Sequence, residues 1–421
     1  MNHDSPSVCG LDFGTSNSGV SVPARESVRL VELEGDATSM PSAVFFAIEE
    51  NQPVLYGRQA VDEYLDGTPG RLMRSLKSVL GSVLMHETTS VGARTLGYDD
   101  IITLYLRTVR DRACARVGTA LDSVVLGRPV RFDDDDLARD RDAQAALEGC
   151  ARDAGFRHVE FQLEPIAAAF DYERTIEREE IVLVIDVGGG TADFSVIRLA
   201  PDRRDAVSRT GDVLASDGVH VAGTDFDSRL NLVWVMPVLG YGSTGPKGLP
   251  VPSAVYFDLS TWHRINLLYS PRFLGPLREL QAFFVDLVPY RRLVRVVEQR
   301  LGHQLLGETE RAKIALSEHA RARVDLAGIE AGLVADVSRA ELIDLLDDLL
   351  ARLVRVAKAT IAAAGLDASD MSTLYFTGGS SGMRPLREAF AAAFPDSRAV
   401  VGDLFGSVVS GLGIDAARRF A

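Results

Sequence analysis

Cysteine is scarce. Cys9, Cys114 and Cys150 are the only three in 421 residues, too few and too scattered for a disulfide framework, and no Cys-x-x-Cys pair offers a zinc site. They are expected to be reduced and buried. The seven histidines are equally dispersed, with no His-x-x-x-His spacing, and none is assigned a role. Positive charge is also short: 45 basic against 59 acidic residues give a net charge of −14. That balance argues against a nonspecific nucleic-acid binder, whose affinity comes from neutralising phosphates with Lys and Arg. No apolar run approaches membrane-spanning length, and Met1 to Ser7 lacks a basic stretch followed by an apolar one. No membrane partner is expected, and a cytoplasmic location is the default. Tandem repeats, low-complexity tracts and coiled-coil heptads are missing as well.

What is present is ordinary globular composition, 46% apolar and 25% charged, in a chain long enough for two or more domains and a large core. The most informative feature is a repeated segment. Val8-Cys-Gly-Leu-Asp-Phe-Gly-Thr-Ser-Asn-Ser18 is answered by Val182-Leu-Val-Ile-Asp-Val-Gly-Gly-Gly-Thr-Ala-Asp193. Superposing Asp12 on Asp186 aligns two strands, two glycine turns and two returning strands. A single Asp-Phe-Gly or Gly-Gly-Gly turn has a purely conformational explanation. A matched pair points to a duplicated fold whose halves face each other across a cleft. Backbone N–H groups in such turns can cradle phosphates, and the two aspartates can hold a hydrated divalent cation. The expected ligand is therefore a nucleoside triphosphate with magnesium.

Between the repeats the pattern alternates strand and helix. Ser27–Leu33, Ser42–Ile48, Ser123–Gly127 and His158–Leu163 read as strands, with helices over Asp100–Val117, Asp140–Ala154 and from Pro165 onward. Asp133 to Asp136 lacks the interleaved spacing of a calcium loop and reads as a helix N-terminal cap. From Trp234 to Tyr290 helical periodicity gives way to proline, glycine and aromatics, as in Leu239-Gly-Tyr-Gly-Ser-Thr-Gly-Pro246. This insertion is either a partner surface or a segment packed by its own aromatics. Helices are expected again over Arg291–Ala320 and Arg339–Ala364, then a strand at Thr373–Thr377.

Taken in order, these segments resemble the nucleotide-binding domain of the heat-shock protein 70 family, within the actin and sugar-kinase ATPase superfamily. Gly10 to Ser18 resembles the first phosphate loop, Glu164-Pro-Ile-Ala-Ala-Ala-Phe170 the first connecting helix, and Asp186 to Asp193 the second phosphate loop. Gly223-Thr-Asp-Phe-Asp227, the adenosine-loop-like Phe376-Thr-Gly-Gly-Ser380 and the connecting-helix-like Gly406 to Gly413 complete the set. The resemblance implies an α/β actin-like fold with a duplicated ribonuclease H-like core, two lobes of mixed sheets flanked by helices, and a central nucleotide cleft. Lobe I would comprise residues 1–178 completed by 403–421, and lobe II residues 179–402 with the 234–290 insertion. The insertion and the missing linker and peptide-binding sandwich suggest a short YegD-like branch, for which full chaperone cycling is not implied.

Position by position, the resemblance implies that Asp12 and Asp186 hold the magnesium shell, while Gly14, Thr15, Ser16, Asn17 and Gly188, Gly189, Gly190, Thr191 embrace the phosphates of ATP or ADP. Lys77 would reach the terminal phosphate, Glu164 would order the attacking water, and Asp193 and Thr191 would complete the polar wall. Glu310, Lys313 and Ser317, at i, i+3 and i+7 on one helical face, would contact adenosine with Gly223, Gly378, Gly379 and Ser380. The family's adenine-stacking arginine has Gly382 in its place; either Arg384 takes over or the contact is lost. Ala192 likewise stands where the family has phenylalanine. The leading expectation is a slow magnesium-dependent ATPase whose lobes close on ATP and whose partner reads that closure. The alternatives are a nucleotide-gated binding module acting through residues 234–290, and a small-molecule kinase of the same superfamily.

Overall fold

A computed structural model of the chain describes residues 7–24, 27–49, 52–66, 68–82, 85, 87–91, 94–132, 136–204, 206, 209–262, 264–269, 273–404 and 406–420. The chain divides into two compact units. The larger comprises Met1–His220, Leu353–Gly382 and Phe390–Ala421; the smaller comprises Val221–Arg352 and Met383–Ala389.

Both large sheets lie in the larger unit. The first orders its strands His158–Leu163, Ser123–Arg128, Val8–Phe13, Asn17–Ala24, Ser27–Leu30, with Ser39–Pro41 added beside Asn17–Ala24. The second orders them Arg398–Val401, Thr373–Thr377, Glu180–Val187, Ala192–Leu199, Val213–Val219. The two orders are the same arrangement used twice. In each, a leading strand is antiparallel to the strand after its glycine turn and parallel to a strand that returns much later. Register repeats too: Asp12 opposes Gly19, and Asp186 opposes Asp193. The leading strands are apolar on both faces because helices cover them, which is why they read as continuous apolar runs.

Two helices form the layer between the sheets. Glu164–Glu173 starts with Pro165 in its first turn, where a missing N–H costs nothing, and it packs against Ser407–Arg419. Their contact is made by small residues. A Cβ placed on Gly411 would overlap the Ala167 carbonyl; the strand Val8–Phe13 approaches Ser407–Arg419 as closely, since a Cβ on its Gly10 would overlap the backbone of Leu412 and Gly413. Around them Val125, Ile166, Phe170, Val184, Tyr375 and Leu412 make one buried cluster. The outer face of the first sheet is covered by Tyr98–Val117, which ends at Gly118 with φ 81°, and by Leu137–Asp153.

The smaller unit is mostly helical: Gly223–Trp234, Leu287–Glu298, Gly302–Glu318 and the start of Arg339–Ala363, with the hairpin Arg321–Asp325/Val334–Ser338. Several expectations shift locally. The strand expected to Leu33 ends at Leu30. The helix expected from Asp140 begins at Leu137, because the Asp136 carboxylate accepts from Ala138 N and Arg139 N and caps it. Asp133, Asp134 and Asp135 lie outside the described residues. The stretch Arg291–Ala320 holds two helices, broken at Arg300, whose φ of 57° is left-handed. In the insertion, short helices Ala254–Leu259, Ile265–Leu268 and Leu274–Glu279 replace the expected irregular chain. Its aromatics do pack on one another: Tyr241 on Tyr256 at 5.5 Å, Phe284 on Tyr290 at 5.5 Å, and Trp262 edge-on to His303 at 4.5 Å. Yet Phe257, Leu267, Phe283, Val285 and Val288 remain exposed.

Candidate functional site

In the larger unit both glycine turns sit at the ends of their leading strands and approach each other. A Cβ on Gly189 would overlap Ser16 Oγ, and one on Gly190 would touch Thr15 Cγ2 at 3.7 Å. A side chain at Gly189 would therefore force the Ser16 hydroxyl to swing aside. The first turn is braced from outside. Ser42 Oγ donates to the Gly14 carbonyl at 2.6 Å, Ser42 N donates to the Ser16 carbonyl at 2.9 Å, and the Ser18 and Ser42 hydroxyls are 2.9 Å apart. The second is braced by the loop after Thr373–Thr377: Ser380 Oγ donates to the Gly188 carbonyl at 2.8 Å, and Val187 N donates to Ser381 Oγ at 3.2 Å. Ser42 and Ser381 carry no motif of their own, and sequence reasoning missed both.

Four carboxylates and one lysine gather beside these turns. Lys77, buried in the short turn Leu76–Val79, donates through Nζ to Glu164 Oε1. Glu164 begins its helix, where a carboxylate suits the free N–H groups. The residue before that turn, Ser75, has a φ of 57°, a left-handed conformation that a non-glycine residue adopts at a cost of about 1–3 kcal/mol. Strained backbone thus presents the lysine of the cluster. Thr191 Oγ1 donates to Asp193 Oδ2 at 3.0 Å, across the hairpin from Asp186. Gly378, at φ 80°, lies so close to Asp186 that a Cβ would overlap Oδ1.

The electrostatics of this cluster are under-compensated. Burial first, then the charge of Glu164, pushes the Asp12 carboxyl up to about 7, with Lys77 acting in the opposite sense. Burial, followed by Asp193, Glu164 and Asp12, holds Asp186 well above the usual carboxylate range. Burial opposes the charge on Lys77, but Glu164, Asp12 and Asp193 outweigh it and raise its pKa. Asp12 Oδ1 is buried without a hydrogen-bond partner. The folded chain therefore keeps a proton on Asp12 between the ordinary value of 3.8 and about 7, a proton the unfolded chain has released. Because the native state binds more protons in that window, stability from this group falls as pH rises through it. In EDTA, the melting temperature of the wild type is expected to drop from pH 5.5 to pH 8 more than that of Asp12→Asn. Equal slopes would dissociate the stability change from this carboxyl.

The smaller unit holds the remaining sequence candidates. Gly223 opens the helix Gly223–Trp234 and is buried. On Gly302–Glu318, Lys313 is buried and ion-paired with Asp227 at 2.8 Å, Glu310 is exposed and Ser317 is half-buried. Asp227, which sequence reasoning quoted without a role, is raised to about 6 by burial, with Lys313 lowering it. Arg384 starts the helix Arg384–Ala393 and its Nε meets Glu388 Oε1 at 2.6 Å, a solvent-facing i, i+4 pair.

A twice-used sheet with an aspartate near the end of each leading strand narrows the fold, and comparison with known proteins points the same way. The profile described as Hsp70 protein matches residues 283–400, and that described as MreB/Mbl protein matches residues 100–233. The two matches together support an Hsp70/actin-like ATPase family. Among curated proteins it is similar to "Chaperone protein DnaK" of Mycoplasmopsis synoviae (strain 53), 26% identical over 223 residues. That match covers 53% of this chain and 34% of the relative, so the chain spans about a third of the chaperone it resembles. The fold is the actin-like ATPase fold, and the domain is of this family's nucleotide-binding type. Among the described residues no helix is long and apolar enough to cross a membrane.

Whether magnesium suits this Hsp70-like site can be tested on the residues present. Among the described residues no three His, Cys, Asp or Glu side chains converge to hold a metal directly. Asp12 and Asp186 nonetheless supply hard oxygen donors, and the unpartnered Asp12 Oδ1 is an acceptor with no donor. Magnesium characteristically keeps most of its waters and binds through one or two carboxylates plus phosphate oxygens. The donor set fits a hydrated ion of that kind.

Proposed function

We propose that the chain is a magnesium-dependent ATP-binding ATPase in which nucleotide state controls lobe closure and thereby partner binding. The single observation that carries this reading is the gathering of Lys77, Glu164, Asp12, Asp186 and Asp193 beside two glycine turns that touch. Asp12 and Asp186 would orient the hydration shell of magnesium, which when bound neutralises phosphate charge. The N–H groups of Gly14 to Asn17 and of Gly188 to Thr191 hold the phosphates. Lys77 exchanges its Glu164 partner for the terminal phosphate, which frees the Glu164 carboxylate to accept from the attacking water; Asp193 and Thr191 fix the wall beside it. Glu310, Lys313, Ser317, Gly223, Gly378, Gly379, Ser380 and Arg384 bind the adenosine. Closure brings together lobe I (residues 1–178 and 403–421) and lobe II (residues 179–402), since phosphate contacts made from both favour the closed state. Partners engage through residues 234–290, in a cytoplasmic protein.

Steady-state phosphate release from ATP, with magnesium and with EDTA, tests the proposal alongside nucleotide affinity. Slow release that requires magnesium is expected. Tight binding with no release would replace it by a nucleotide-gated module, and phosphate transfer only in the presence of a small-molecule acceptor would replace it by a kinase.

A further inference from the structure

Residues 234–282 lie between the two stretches that the family profiles match, and the short helix Leu274–Glu279 comes from there. It sits across a groove from the helix Leu287–Glu298. Leu277 and Tyr290, nearly buried, form the floor, with Leu274 and Val294 as apolar walls. Arg278 and Arg291 stand exposed at the rim, with Glu298 the one acid among the lining residues. Neighbouring arginines are neutralised: Arg292 pairs with Glu330 at 2.7 Å and Arg264 with Asp258 at 2.6 Å. Arg278 and Arg291 have no ion-pair partner among the described residues.

Local charge sharpens the contrast. In a chain of net charge −14, the stretch from Arg264 to Arg300 carries seven arginines against Glu279, Asp286 and Glu298. Exposed apolar side chains concentrate in the same stretch: Leu274 at 38%, Phe283 at 38%, Val288 at 42% and Val285 at 72% exposure. A surface both apolar and locally cationic on an acidic protein is what an interaction site requires and what solubility disfavours.

We propose that this groove docks an acidic, amphipathic peptide segment of a partner protein. One or two apolar side chains of the segment fill the space over Leu277 and Tyr290, and its carboxylates pair with the free guanidinium forks of Arg278 and Arg291. The apolar floor and Glu298 disfavour a nucleic-acid backbone, which needs continuous cationic surface. This inference adds the chemistry of the partner to the proposed function but stands on the groove alone and needs no nucleotide.

The test is selection of a random twelve-residue display library on the full chain, followed by fluorescence anisotropy with the enriched peptides. Enriched sequences are expected to combine aspartate or glutamate with leucine or phenylalanine, and their binding to weaken with salt. The double variant Arg278→Glu/Arg291→Glu changes only exposed side chains, so its folding is retained. It should weaken binding by about tenfold or more, and peptides with lysine in place of the acids should recover part of that loss. Leu277→Ala should weaken binding without changing its salt dependence. No enrichment, enrichment without acidic bias, or unchanged binding by the double variant would overturn the proposal. So would self-association, or binding to phosphatidylglycerol vesicles, that the double variant alone abolishes, because the groove would then serve a second copy or a membrane. ATP affinity measured on the same variants separates failure of this inference from failure of the nucleotide reading.

Discussion

Lys77→Ala is expected to lower ATP hydrolysis by about 10²–10³-fold while changing nucleotide affinity far less, within about tenfold. Lys77 opposes the upward shifts of both Asp12 and Asp186, and it is buried, so its charge acts at short range with little water to screen it. Backbone N–H groups of the two glycine turns remain available to hold phosphate when the lysine is gone. On the proposed mechanism, what is lost is the charge that would offset negative charge developing during phosphoryl transfer, together with the Nζ partner of Glu164. Lys77→Arg keeps the charge but not the compact ammonium, and should retain binding with intermediate turnover. Removing one partner of a buried pair also destabilises, so melting of each variant should be followed with and without nucleotide. Phosphate release by folded Lys77→Ala at the wild-type rate would sink the proposed role.

The largest effect on stability is expected at Gly411. Helix Ser407–Arg419 crosses Glu164–Glu173 so closely that a Cβ at Gly411 overlaps the Ala167 carbonyl, and the clash is with backbone rather than with a side chain that could swing away. Gly411→Ala must push the helices apart, opening the packing of Ile166, Leu412 and Phe170, and should cost about 3 kcal/mol or more. Gly149 supplies the control. It lies within the helix Leu137–Asp153 with open space where a methyl group would go, so Gly149→Ala should stabilise by about 0.5–1 kcal/mol. Urea denaturation of the two variants measures the contrast. Equal stability of Gly411→Ala and the wild type would mean that the two helices can separate without loss of packing. Since Ala167 lies three residues beyond Glu164, Gly411→Ala should also slow hydrolysis in whatever fraction stays folded.

Much of this protein is legible in the order of its residues. The offset that superposes Asp12 on Asp186 also superposes the observed registers, Asp12 opposite Gly19 and Asp186 opposite Asp193. Glycine turns and alternating apolar strands are local signals, and local physics suffices to read them. The same holds for the proline-led start of Glu164–Glu173 and for the Asp136 cap. The segment 234–290 is legible only as a departure from pattern, because short helices held by aromatic contacts have no period long enough to detect.

By itself the sequence determined the duplicated strand-turn-strand units, the family they resemble, and which aspartates, glycines and lysine were candidates for one site. Tertiary structure alone decided that Lys77 pairs with Glu164 across 87 positions of chain, that Ser42 and Ser381 brace the two turns, and that Asp12 keeps an unpartnered oxygen. It alone decided, too, that Arg278 and Arg291 flank an apolar groove with no ion-pair partner among the described residues. The physical reason is the range of the interactions. Turn geometry and strand alternation depend on neighbours a few residues away, whereas ion pairing, burial and the carboxyl pKa shifts depend on which distant segments the packed helices and sheets bring together.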